Sequence, residues 1–135
     1  SEIYKHVISV MEADAYKNRK SFLSCVFCEI DSPEYSKSGI KKYLYFGDKN
    51  GYKHLDFQYV QPPLSATQSP VYGLWLTVMP LRVQGKTIPG ETVLSVLHDY
   101  LKYGMEIDDP EKNREYIQMK NEILKKERIA LLNIL

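Results

Sequence analysis

Asn50-Gly51 is the dipeptide that most restricts how this chain can fold. It stands between two runs rich in tyrosine, leucine and phenylalanine, within IKKYLYFGDKNGYKHLDFQYV, residues 40–60. A two-residue type I′ turn needs positive φ at both central positions, which asparagine and glycine tolerate. The sequence therefore predicts a β-hairpin over 40–60. With Asn50-Gly51 as the turn, Lys49 faces Tyr52, Gly47 faces His54, Phe46 faces Leu55, Leu44 faces Phe57 and Tyr43 faces Gln58. Leu44, Phe46, Leu55, Phe57 and the stem of Tyr59 then share one face, and Lys41, Tyr43, Tyr45, His54, Asp56 and Gln58 the other. If all of Gly47–Gly51 were loop, Phe46 would meet Tyr52 and Leu44 would meet His54, which mixes the faces. The tight turn is the more consistent choice.

Around this hairpin the hydrophobic period changes along the chain. Residues 2–17 carry Ile3, Val7, Val10 and Met11 at helical spacing, which predicts a helix lying across a sheet. Residues 21–30 are apolar on both sides, Phe22, Val26 and Ile30 against Leu23, Cys25 and Phe27, as in a central strand covered on two faces. QPPLSATQSP, residues 61–70, is a loop with three prolines, suited to a binding loop or to a plain connector. Residues 71–84 form the longest β-run, with Leu74, Leu76 and Val78 pointing one way and Trp75, Thr77 and Met79 the other; Pro80 implies an edge or a bulge. A helix over 91–103 follows, with Val93, Leu94, Leu97, Tyr100 and Leu101 as its stripe and Gly104 as its cap. Asp109-Pro110-Glu111 reads as the start of a last helix running to the end of the chain, with Ile117, Leu124 and Leu131 seven apart. The expected fold is α+β: one domain over 1–135, an antiparallel sheet of about four strands built on the central hairpin, an N-terminal helix and two C-terminal helices.

Composition narrows the function classes. The net charge of +1 excludes a globally basic nucleic-acid binder. The hairpin end is nonetheless basic: from Tyr35 to His54, Lys37, Lys41, Lys42, Lys49 and Lys53 stand against Asp48 alone. No apolar run approaches the ~20 residues that span a bilayer, and the N-terminus does not resemble a signal peptide, so a soluble cytoplasmic protein with no membrane role is expected. Cys25 and Cys28 form a CxxC on a strand, where residues three apart point to opposite faces about 10 Å from each other. Disulfide, redox and zinc roles are disfavoured, and two small hydrophobes in a reducing compartment are expected.

No phosphate loop, metal-ligand pattern or nucleophile motif occurs, so neither a cofactor nor a metal is expected. The candidate surface is the polar hairpin face: Lys41, Tyr43, Tyr45, His54, Asp56 and Gln58. Eleven tyrosines in 135 residues suit recognition, because tyrosine buries much area at little entropic cost. The leading expectation is a non-catalytic protein-binding domain of the adaptor, inhibitor or immunity type, using this face and the C-terminal helix; a homodimer is compatible. One alternative is RNA or single-stranded DNA stacking on Tyr43 and Tyr45, with the lysines along the backbone. Another is a metal-independent nuclease with His54 as general base and Asp56 orienting it. The sequence leans away from an enzyme.

Overall fold

A computed structural model of the chain describes residues 2–19, 23–32, 47, 50–83 and 85–134. Helix α1 spans Glu2–Arg19 and strand β1 Cys25–Asp31. β2 is Lys53–Leu55, β3 Leu74–Pro80 and β4 Thr87–Pro89. α2, Gly90–Asp99, widens into a π turn at Tyr100–Gly104. α3 is Arg114–Lys126 and β5 Arg128–Asn133. The strands form one antiparallel sheet in the order β1-β3-β2-β5-β4. The class is α+β as expected, with five strands in place of about four.

The alternation read from the sequence sets both faces of the sheet. On one face Leu55, Leu76, Val78, Ile88 and Ile129 pack under α2 and α3, against Val93, Leu97, Met119 and Ile123. On the other, Ile30, Tyr52, Met79 and Ile134 form a second cluster with Val26, Trp75 and Ile8 of α1 at its border. Cys25 faces the first core and Cys28 the second, and both thiols are free and half-buried. Thr77 is fully buried, and its hydroxyl donates to the Cys28 carbonyl at 2.8 Å.

Pairing departs from expectation where local pattern carries no information. Both hydrogen-bonding edges of β2 are taken: His54 lies opposite Thr77 of β3 and Leu132 of β5. The first arm of the predicted hairpin, residues 41–46, lies outside the described residues. Gly51 has the positive φ the turn demanded, 70°, and its N–H donates to the Gly47 carbonyl at 3.2 Å; residues 48–49 of the predicted turn lie outside the described residues. Among the described residues β1 pairs only with β3, and both its faces are partly covered. β3 is interior. Its Pro80 ends the strand opposite Cys25, beyond the last residue that β2 reaches, Val78, so the missing N–H leaves no gap between β2 and β3.

The helices also correct the sequence reading. Val7, Val10 and Met11 of α1 are 47%, 54% and 38% exposed; the side facing the protein carries Ile8 and Glu12, and Glu12 accepts from Arg82 Nη1 at 2.5 Å. The last helix starts later and ends earlier than expected. Asp109-Pro110 opens a separate 3-10 turn, Pro110–Lys112, and α3 is capped by Asn113, whose Oδ1 accepts from Tyr116 N at 2.9 Å. Tyr116, Met119 and Ile123 form its buried stripe, while Ile117 and Leu124 are exposed.

The chain reverses at Glu127, which has φ 61° and ψ −48°, a conformation that costs a non-glycine residue about 1–3 kcal/mol. The remaining residues enter the sheet as β5. Since the Glu127 side chain is exposed, Glu127→Gly should raise stability by about 1 kcal/mol, read as a higher urea midpoint at unchanged slope.

Candidate functional site

The C-terminal end of β2 places His54 and Asp56 two residues apart, and the following segment carries Gln58 to the foot of α3. Together with Trp75 of β3, Tyr72, Ser32 and Glu122 of α3 they line a cleft of about 360 Å³. Register explains the meeting of His54 and Trp75: His54 is opposite Thr77, so Trp75 is its diagonal neighbour on the same face. The two rings stack with centroids 3.7 Å apart and planes 4° from parallel.

Backbone and side-chain hydrogen bonds fix the opposite wall. Glu122 Oε1 accepts from the Gln58 N–H at 2.9 Å, and Gln58 Nε2 donates to the carbonyls of Tyr59 and Tyr72 at 3.1 and 3.4 Å. Lys126 Nζ donates to the Asp56 carbonyl at 2.7 Å and lies 3.0 Å from Glu122 Oε2 and 3.9 Å from Asp56 Oδ2. Two carboxylates thus share one ammonium, and among the described residues no lysine or arginine lines the cleft. Beside it the loop predicted over 61–70 is closed at its base by paired bonds between Gln61 and Val71, 2.9 and 3.0 Å, which hold the exposed ring of Tyr72 at the rim.

Of the predicted surface, His54, Asp56 and Gln58 therefore lie together on one cleft; Lys41, Tyr43 and Tyr45 lie outside the described residues. Lys53, counted in the basic patch, donates to Asn133 Oδ1 at 2.7 Å. Trp75, Tyr72, Ser32 and Glu122 were missed as site residues. Trp75 was legible as a residue of the face opposite Leu74 and Leu76, but Glu122 comes from a helix more than sixty residues further along the chain, and no local pattern couples it to Gln58.

The geometry supplies His54 with a platform and not with a relay. Among the described residues no hydrogen bond joins its ring to Asp56, and burial holds the imidazole below its ordinary range against the opposing pull of Asp56. The folded state binds this proton more weakly than the unfolded chain, whose histidine titrates near ~6.5. Stability is accordingly full above that pH and is lost as pH falls toward the folded-state value. His54→Phe keeps a ring on Trp75 and removes the titration, so between about pH 7.5 and about pH 5 the wild type should lose stability relative to the variant. Parallel urea midpoints for the two proteins across that range would refute the assignment.

No protein-family model, no curated protein and no solved structure matches the chain. Among the described residues no group of three or more histidine, cysteine, aspartate or glutamate side chains is placed to hold a metal ion, and no helix is long and apolar enough to cross a membrane. The site's own chemistry is what defines the protein: an α+β domain with an acidic, aromatic-walled cleft at the end of an antiparallel sheet.

Proposed function

We propose that this is a non-catalytic protein-recognition domain, an adaptor or inhibitor, which holds an extended basic segment of a partner in the cleft. One observation carries the proposal: the stacked His54–Trp75 pair shares a cleft with two carboxylates, Asp56 and Glu122, that have the single Lys126 ammonium between them. A partner lysine or arginine can lay its aliphatic stem against the aromatic wall and end at the carboxylates. The carboxylates repel phosphate, which weighs against nucleic acid at this site, and the neutral, stacked His54 weighs against proton transfer. The C-terminal helix of the sequence reading drops out of the surface, because its last residues are β5; α3 contributes Glu122 alone. Two free thiols suit a reducing compartment, and the cytoplasm is the proposed location.

The chain's single tryptophan is Trp75, so intrinsic fluorescence reports directly on the cleft. Titration with short peptides should give a saturable change for lysine- or arginine-containing sequences and none for acidic ones. Asp56→Asn combined with Glu122→Gln should weaken the basic peptides about tenfold or more. An oligonucleotide that bound more tightly than any peptide, with affinity falling steeply as salt rises, would overturn the proposal in favour of nucleic acid.

A further inference from the structure

A second concavity has a lining that shares no residue with this cleft, though Tyr59 of the cleft reaches its Glu29. Val93, Leu94 and Leu97 of α2 and Leu101 of the π turn are buried in the main core. Between α2 and the sheet is a groove of about 210 Å³ with Phe27 and Leu76 on the sheet side and Val96 and Leu97 on the helix side. Its polar residues include Glu29 and Tyr100.

The Glu29 carboxylate is held by three neutral donors. Tyr59 Oη donates to Oε2 at 2.5 Å, Gln61 Nε2 to the same oxygen at 3.1 Å, and Tyr100 Oη to Oε1 at 2.6 Å. Burial, reinforced by the bond to Glu29, pushes the Tyr59 phenol well above its ordinary range and that of Tyr100 up to about 12. Both tyrosines therefore keep their protons and act as donors. A half-buried carboxylate is costly without a counter-charge, and among the described residues no cation pairs with Glu29. Oε1 accepts one bond where a carboxylate oxygen can take two.

Tyr100 owes its position to two local features. The helix widens into a π turn there, a device common at functional sites. Gly104 closes that turn against the ring: a Cβ at this position would come within 2.9 Å of Tyr100 Cδ2, so a side chain here would force the ring to shift.

We propose that this groove binds a small primary amine carried on an apolar body, with the ammonium donating to Glu29 Oε1 and the body lying between Phe27 and Val96. The missing counter-charge selects a cation, and the apolar walls select its body. An anion is repelled, and an alcohol of the same shape supplies a donor without the charge.

Calorimetric titration of the full chain with phenethylamine, phenethyl alcohol and phenylpropionate tests this. Phenethylamine should bind saturably at one site, the alcohol about tenfold more weakly or worse, and the acid not at all. Glu29→Gln should weaken the amine about tenfold and leave the alcohol unchanged. Should loss of a threefold-bonded carboxylate unfold the protein, Val96→Phe decides: it fills the groove from the half-buried helix side and should abolish amine binding. No saturable amine binding, or amine affinity unchanged in Val96→Phe, overturns the proposal. So does a lysine tripeptide that binds more tightly than phenethylamine while leaving Trp75 emission unchanged. Trp75 emission should stay constant during the amine titration, which separates this groove from the cleft.

Discussion

Truncation after Glu127 should abolish the cooperative thermal transition. Residues 128–134 are not the frayed end of a helix: β5 lies between β2 and β4, pairing Leu55 with Leu131 and Ile88 with Ile129. Its loss strips hydrogen-bond partners from two strands at once, including the Asp56 N–H bond to Ala130 at 3.0 Å and the bond from Leu131 to the Lys86 carbonyl at 2.8 Å. Ile129 is fully buried in the main core, Leu131 borders it, and Ile134 is buried in the second cluster. Large core side chains are worth about 2–5 kcal/mol each. Three such losses reach the ~5–15 kcal/mol that a domain has in all. Circular dichroism melts and amide NMR dispersion check the outcome. A truncated chain that melts sharply near the wild-type temperature would show that β5 is dispensable. Had the tail been the last turns of an exposed helix, the same deletion would cost little.

The second large effect is expected from a single methyl group. Gly90 begins α2 directly against the corner where α3 gives way to β5, and its N–H donates to the Glu127 carbonyl at 2.8 Å. A Cβ on Gly90 would lie 2.8 Å from that same oxygen and 2.9 Å from Ile123 Cγ2. Neither neighbour can retreat. The oxygen belongs to a backbone held by the reversal at Glu127, and Ile123 is fully buried. Gly90→Ala should destabilise by about 3 kcal/mol, as over-packing of a rigid site does. The melting temperature should fall by on the order of 10 °C. Helix propensity alone favours alanine over glycine inside a helix by about 1 kcal/mol, so the sign of the result separates the two effects. A neutral or stabilising Gly90→Ala would mean that the corner is loosely packed.

Much of the local structure was legible. Leu74, Leu76 and Val78 were separated from Trp75, Thr77 and Met79 by alternation, and the structure keeps them on opposite faces. Leu55, Phe57 and Tyr59 were assigned inward and are buried. The stripe Val93, Leu94, Leu97 and Leu101 is the buried face of α2 and its extension; Tyr100 leaves the stripe because the π turn rotates it toward Glu29. For the candidate site, His54, Asp56 and Gln58 could be grouped in advance because they sit two residues apart. Trp75 and Glu122 could not be joined to them, since their proximity depends on the register of β3 and on where α3 crosses the sheet end.

The errors share one cause. IALLNIL satisfies a helical stripe and a short apolar strand almost equally, and leucine and alanine favour the helix. The structure resolves the tie because β2 and β4 each present an edge, and ladder hydrogen bonds plus burial of Ile129 and Ile134 outweigh that preference. α1 carries apolar residues on two adjoining stripes, and the one holding Ile8 packs while Val7, Val10 and Met11 stay exposed.

Sequence alone determined which side chains share a face, where α2 begins to bury its stripe and that Gly51 takes positive φ, because each depends on dihedral preference and period within a few residues. Only the tertiary structure decided which strands are neighbours, that the last six-residue element, Arg128–Asn133, is a strand, and that Trp75 and Glu122 complete the cleft. Those outcomes depend on contacts between segments far apart in the chain, whose free energy appears only when the whole sheet assembles.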